Sequence, residues 1–361
     1  MLDRFKLLQP AVSDLISNQI ASDTLPEAML FCGPADSGKL LCAFEIAKQL
    51  GSVKGGNFVL CTPRDFSPYL SFALERFSKS PSVTSRKLLV DAFDCYLGHF
   101  HSTLTADDKS DEKFERIGDL VQHLSTVGTV EDAATLCRTL SADYAAILKA
   151  GNRRPDSLSI AQVRSLRNWL YLTNTDRQRK VVVIDAIDEA NDAVKNSLLK
   201  MLEEPPQRAL FILISKHPQR VMTTILSRTR RCYFPPVPAK QVRAFASYIG
   251  ISLPEDGDYG PEELLEGGDG QDLPVKGFFD EGYDLMPLIK ASDDPVQLRL
   301  LFRALTAEVR RLVGEGRIGE NRCAQWIGRI NEAANRCEVY NQNPRLAIQG
   351  LFFSIGGGRQ G

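Results

Sequence analysis

The chain has 361 residues, 43% of them hydrophobic and 25% charged, a soluble globular composition that excludes disorder over most of its length. Lys plus Arg number 44 against 45 Asp plus Glu, a formal net charge of -1, which argues against a protein that grips nucleic acid by overall charge. A local basic surface shared with other subunits stays compatible with that balance, and the length predicts two or three domains.

The start, Met1-Leu2-Asp3-Arg4-Phe5-Lys6, has no apolar h-region, so no signal peptide is expected. Apolar runs such as Leu210 to Ile214 are far short of a membrane span. The eight cysteines, Cys32, Cys42, Cys61, Cys95, Cys137, Cys232, Cys323 and Cys337, include no C-x2-C pair. No zinc and the reduced, mostly buried thiols of a cytoplasmic protein are therefore expected.

Ala28 to Cys32 is a short apolar run, followed by Gly33-Pro34-Ala35-Asp36-Ser37-Gly38-Lys39 and then by Leu40, Leu41, Phe44, Ile46, Ala47 and Leu50 at helical density. Strand, glycine-bounded loop and helix in that order form the setting of a phosphate loop. There, backbone N–H groups and a helix N-terminus face the phosphates and Lys39 adds a point charge. The last motif position needs a Ser or Thr hydroxyl for magnesium, and Leu40 supplies none. The competing reading is a glycine-rich turn with an exposed lysine.

Asn57 to Cys61 reads as a further strand. Residues 62–150 carry helix-like patterns (Leu70, Leu74 and Phe77, then Leu88, Phe93, Tyr96 and Leu97), with a polar, charge-rich link over Thr105 to Glu115 and no catalytic constellation. This segment is expected to be a mostly helical insertion. Ile160 to Arg167 predicts a helix with Ser157 or Ser159 as N-cap.

Lys180-Val181-Val182-Val183-Ile184-Asp185 reads as a buried parallel strand ending in an acid, the layout of a Walker B element. Asp185 would hold a metal, but Ala186 stands where an ATPase carries the carboxylate that orients and deprotonates water. Asp188 and Glu189 fall in the next turn and read as surface charge or helix N-terminal stabilisation. A helix beginning near Asn191 or Asp192 sets Val194, Leu198, Met201 and Leu202 on one face and stops at Pro205-Pro206.

Ala209 to Ile214 is another buried strand, ending at Ser215, which reads either as a γ-phosphate sensor or as a plain strand-end serine. His217 reads as a surface loop residue. Ser227-Arg228 follows the short segment Thr223 to Leu226 at the domain surface. An arginine there, offered in trans, could neutralise charge developing on a transferred phosphoryl group. Arg230 and Arg231 read as ordinary surface or salt-bridge residues.

The alternation of strands and helices predicts a parallel sheet covered by helices over 1–235. Beyond it, Val242 to Ile249 is helical in pattern. Pro254 to Asp284 holds eleven acidic residues against one Lys, which predicts a solvated, mobile excursion. Helical patterns near 295–313, 319–340 and 344–354 suggest a small separate helical domain.

Four segments together resemble the bacterial clamp-loader subunits of DNA polymerase III: Lys180 to Asn191, Asn196-Ser-Leu-Leu-Lys-Met-Leu-Glu-Glu-Pro-Pro206, Phe211 to Pro218 and Thr224-Ile-Leu-Ser-Arg228. Tyr340-Asn-Gln-Asn-Pro-Arg-Leu-Ala347 is similar to the last collar helix of that family. The resemblance implies an α/β fold: a P-loop AAA+ parallel sheet covered by helices, then a small helical lid and an all-α collar. It implies an AAA+ domain at 1–235 with the insertion at about 62–150, a lid at 236–290 carrying the acidic stretch, and an oligomerising collar at 291–361.

Such complexes open a ring-shaped sliding clamp and place it on primed DNA. Leu40, Ala186 and the missing cysteine cluster depart from the gamma and tau motors and match the delta-prime type better. The family's Ser-Arg-Cys motif stands here as Ser227-Arg228-Thr229, so only Ser227 and Arg228 carry over, as an arginine finger. Gly33, Gly38, Lys39, Asp185 and Ser215 carry over as a degenerate nucleotide site.

The expected role is a stator without ATP hydrolysis of its own, in a ring with gamma/tau and delta subunits and with no membrane association. No cofactor is certain, and weak retention of ATP or ADP stays open. The alternatives are a divergent gamma/tau-like motor using Asp188 or Glu189 as base, and a non-replicative AAA+ adaptor.

Overall fold

The apolar runs of the first 240 residues become parallel strands, β1 (Ala28–Cys32), β2 (Phe58–Cys61), β3 (Lys180–Ile184) and β4 (Ala209–Ser215), and the polar segment Arg230–Tyr233 adds a fifth, β5. The computed structural model describes residues 2–53, 56–64, 66–104, 108–126, 132–133, 135–140, 158–172, 178–251, 253, 260–261, 264, 275–280, 282–292, 295–340 and 342–356. Among these the strands form one five-stranded sheet of order β2-β3-β4-β1-β5, with every pairing parallel.

The helices accompanying the sheet are α1 (Asp3–Leu8), α2 (Pro10–Ala21), α3 (Lys39–Gln49), α4 (Ser67–Lys79), α5 (Val83–His99), α6 (Asp108–Thr126), α7 (Ile160–Tyr171), α8 (Asp192–Glu203), α9 (Thr223–Leu226) and α10 (Ala239–Ile249). Strands β1 to β4 are buried along their whole length, so both faces need a helical cover. Alternate strand residues supply the two faces. Leu30, Val182, Phe211 and Leu213 pack with Val163 and Leu166 of α7 and with Leu198 and Met201 of α8. On the other face Phe31 meets Phe234 with ring centroids 4.7 Å apart, and Phe58 meets Phe44 of α3 at 5.8 Å. This is the α/β P-loop sheet that the sequence predicts.

Local signals set several boundaries. Ser159 caps α7 in a capping box with Gln162, while Ser157 lies outside the described residues. Asn191 caps α8 by accepting from the Val194 N–H at 2.9 Å. At the other end of α7, Lys180 Nζ donates to the carbonyls of Trp169 (2.6 Å) and Leu172 (2.7 Å) and lies 5.0 Å over the Trp169 ring. Burial of that ammonium lowers its pKa.

The N-terminal helix is fixed by charge. Arg4 of α1, 2% exposed, reaches Glu45 of α3 (Nη2–Oε1 2.6 Å) and Asp91 of α5 (Nη2–Oδ2 2.8 Å), and Lys48 also pairs with Asp91. Burial opposes the guanidinium charge, yet the facing carboxylates raise the Arg4 pKa well above its ordinary value.

Two expectations need correction. The charge-rich link over Thr105 to Glu115 is mostly the start of α6, with 105–107 outside the described residues. From Phe114 on, Ile117, Val121 and Leu124 recur at helical spacing and are buried, and Phe114 stacks on Phe100 with centroids 5.4 Å apart. The acidic stretch 254–284 is largely outside the described residues, but its end is core rather than solvated excursion. Val275 and Phe278 are buried there, and Phe279 stacks on Trp326 at 4.8 Å.

By its contacts the chain divides into two compact units, Met1–Ile251 with Tyr259–Gly267, and Gly268–Gly361 with Ser252–Asp258. The second contains α11 (Met286–Ala291), α12 (Pro295–Gly314), α13 (Glu320–Tyr340) and α14 (Pro344–Gly356). Its core joins Phe278, Leu301, Leu305, Val309, Ile330 and Ile348. No helix among the described residues is long and apolar enough to cross a membrane.

Candidate functional site

In a parallel sheet, the loops after the strands gather at the C-terminal edge, where ligands are bound. The loop after β1 is shaped by its glycines. Gly33 has φ 152°, and a Cβ there would stand 2.2 Å from the Phe234 carbonyl oxygen, so only glycine fits. Gly38, at φ 79°, is the N-cap of α3. Lys39 is 1% exposed, which rules out the exposed-lysine reading. Its Nζ donates to the Gly33 carbonyl at 3.0 Å, to Ser37 Oγ at 2.8 Å and to the Pro34 carbonyl. Gln9 Nε2 donates to the carbonyls of Ser37 (3.3 Å) and Pro235 (2.6 Å), holding the loop from outside.

Asp185 leaves β3 at the same edge but on the side of β2. Its Oδ2 accepts from Arg64 Nε at 2.8 Å and from Thr62 Oγ1 at 3.0 Å, and its Oδ1 from the Ala186 N–H at 2.9 Å. Burial pushes this carboxyl up, but Arg64, with the bonds from Thr62 and Ala186, leaves it below the ordinary carboxylate value. Neither Arg64 nor Thr62 stood out in the sequence. Their signal is the register Cys61 to Ile184, which sets the residues after β2 beside Asp185.

A cleft of about 150 Å³ opens next to this group, lined by Thr62, His99, Gln162, Asp185 and Glu189 among others, and not by Gly33 to Lys39.

Ser215 is fully buried at the end of β4, in register with Cys32 of β1. The His217 N–H donates to Ser215 Oγ at 3.1 Å and to Asp188 Oδ2 at 3.3 Å. Asp188 is thus buried, contrary to its reading as surface charge, because the Ile187 N–H bonds the Ile214 carbonyl at 3.1 Å and folds the turn over β4. Burial raises the Cys32 thiol pKa, the charges of Arg231 and Lys39 lower it, and Asp188 raises it further. Joined to Ser215 through the His217 N–H, and with Ser215 beside Cys32, Asp188 lies near the start of the loop, its Oδ1 lacking a hydrogen-bond partner among the described residues. Glu189 and His217 are exposed, as expected.

Ser227 and Arg228 are not part of this assembly. Arg230 pairs with Met29 and Tyr233 with Cys32, so β5 runs from the opposite edge of the sheet towards the loop. Arg228 precedes β5 at that far edge, exposed. Its Nη1 donates to the Thr224 carbonyl at 2.9 Å and to Ser227 Oγ at 3.3 Å, and its Nη2 lies 2.8 Å from Glu203 Oε1. Arg230 and Arg231 are exposed on the edge strand, in keeping with a surface role.

The groups at the loop do not fit a magnesium-bound triphosphate. Leu40 has no hydroxyl for the metal, Asp185 is committed to a guanidinium, and the Lys39 ammonium is turned onto the loop's own oxygens. Ala186 brings no carboxylate. Among the described residues no group of three His, Cys, Asp or Glu is arranged to hold a metal ion.

Residues 101–238 match the family described as DNA polymerase III, delta subunit. The chain is 36% identical over 91 residues to DNA polymerase III subunit delta' of Bacillus subtilis, covering 25% of this chain and 28% of that protein. It is 30% identical over 150 residues to subunit delta' of Pseudomonas aeruginosa, covering 40% of this chain and 44% of that protein. The chain thus spans less than half the length of these relatives. Among solved structures, a DNA polymerase III gamma subunit-related protein of Thermotoga maritima aligns at a TM-score of 0.38 with 16% identity, over 55% of this chain and 79% of that chain.

Proposed function

We propose that this chain, a relative of the delta-prime subunits of DNA polymerase III, is the fixed member of a clamp-loader ring, lending Arg228 to a neighbour's ATP and hydrolysing none itself. The observation that carries the reading is the pairing of Asp185 with Arg64. The acid best placed to hold a metal is neutralised by a built-in cation, beside a position, Ala186, that cannot activate water.

The place of Arg228 supports the second half. It lies at the sheet edge opposite its own phosphate loop, so any triphosphate it serves belongs to another molecule. A guanidinium offered in trans stabilises the charge on a transferring phosphoryl group, by about 10³ to 10⁵ in rate in other NTPases. ATP or ADP would be held weakly at most, since Lys39 must first leave three oxygens of its own loop.

The partners on this reading are gamma/tau and delta subunits, with the sliding clamp and primed DNA reached through the assembled complex. The test is reconstitution of clamp loading with and without this chain. Loading should fall to background without it; equal loading in its absence would refute the role.

A second reading draws support from Asp188. A buried carboxylate beside the loop and Ser215, with one oxygen unpartnered among the described residues, is what a divergent motor using Asp188 as base would need. Glu189 is exposed and suits that task less.

A further inference from the structure

The carboxylate of Glu203 sits where helix electrostatics disfavour it. Glu203 is the last residue of α8, whose end is set by Pro205-Pro206. Negative charge there faces the carbonyl end of the helix dipole. The Arg228 guanidinium, 2.8 Å away, offsets that penalty.

The pair spans two elements that are rigidly seated on each other. Ile225 of α9 is fully buried in the same core cluster as Leu198, Met201 and Leu202 of α8. Arg228 is therefore held by Glu203 from α8 and by the Thr224 carbonyl and Ser227 Oγ from the α9 segment. A long, flexible side chain is fixed in one direction while staying exposed at the surface.

We propose that Glu203 is a positioning residue for Arg228, pre-orienting the guanidinium that acts on the triphosphate of an adjacent subunit. The inference rests on Arg228 working in trans as described above. Its physical content is that ordering of the arginine is completed before subunits meet, so none is lost when the phosphoryl group develops charge. What Arg228 needs from Glu203 is an acceptor oxygen in a fixed place. A glutamine keeps that oxygen and an alanine removes it.

The test measures kcat and KM for ATP of the reconstituted, DNA-stimulated complex carrying wild-type chain, Glu203→Gln, Glu203→Ala, Arg228→Ala or the Glu203→Ala/Arg228→Ala pair. Glu203→Ala should lower kcat about tenfold with KM unchanged, as misplacement of a group acting in the transition state does. Glu203→Gln should stay near the wild-type rate, and the double variant should be no slower than Arg228→Ala alone. Thermal melting of the isolated Glu203→Ala chain should show no loss of stability, since an unfavourable helix-end charge has gone.

A wild-type rate for Arg228→Ala would overturn the finger reading and this inference together. A slow Arg228→Ala beside a fast Glu203→Ala would overturn the positioning role alone and leave the finger standing. Equal losses in Glu203→Gln and Glu203→Ala, or a destabilised Glu203→Ala chain, would also overturn it.

Discussion

Arg64 Nε and Asp185 Oδ2 lie 2.8 Å apart, joining the segment after β2 to the end of β3 across the neighbouring strand ends. The Asp185 side chain is 4% exposed and that of Arg64 21%, so the pair is shielded enough for its charge to matter. The carboxyl is pushed up by burial, but the guanidinium together with the bonds from Thr62 and Ala186 keeps it below its ordinary value.

A carboxylate depressed in the folded state adds stability that is fully present above its unfolded pKa, about 3.9, and is lost as pH falls through the folded value. Arg64→Ala should therefore destabilise by about 2 kcal/mol at neutral pH, leaving Asp185 buried without its cation. With Arg64 gone, only the bonds from Thr62 and the Ala186 N–H oppose burial, so the carboxyl in the variant protonates more easily than in the wild type. The deficit should shrink as pH is lowered towards about 4. Urea unfolding of wild type and variant at both pH values measures it; a deficit that stays constant or grows in acid contradicts the pairing.

Arg4 should be the costliest single truncation among the charged residues of the first unit. Removing it strands Glu45 and the fully buried Asp91 with, among the described residues, Lys48 as the remaining counter-charge. Arg4→Ala is expected to lose about 3–5 kcal/mol, and Arg4→Met combined with Asp91→Leu to regain part of that loss. Denaturant midpoints of the three proteins check this, and a loss below about 1 kcal/mol for Arg4→Ala would mean that the cluster is not load-sharing.

Ala186 has φ 53°, a left-handed conformation that disfavours residues with a Cβ. Ala186→Gly should raise stability by about 0.5 kcal/mol or leave it level, where the same change in a helix would lower it by a similar amount. Chemical unfolding decides the sign; a clear loss would show that the alanine methyl makes contacts outweighing its strain.

Much of the first unit is legible in the sequence because hydrophobic runs and punctuation agree there. Lys180 to Asp185, Asn191 to Glu203 and Ala209 to Ser215 form the strand, helix and strand that their patterns predict. The arrangement at the loop's mouth is harder to read. The Asp185 partner Arg64 is 121 positions away, and only the parallel pairing of β2 and β3 brings the two together. Burial of Asp188 depends on one backbone bond to Ile214, which no side-chain pattern announces. The charges of α6 mask its apolar face, since Phe114, Ile117, Val121 and Leu124 are spread thinly among them. Arg228 is plain as a motif, yet its tie to Glu203 emerges only when α8 and α9 are packed.

On the proposed reading, this chain's own phosphate loop is retired from hydrolysis. Steady-state ATP turnover by the purified chain, with Lys39→Ala as the control, tests it most directly. No turnover above that control is expected, with or without DNA. Turnover that is present in the wild type and abolished by Lys39→Ala would contradict it and favour a motor that works through Asp188.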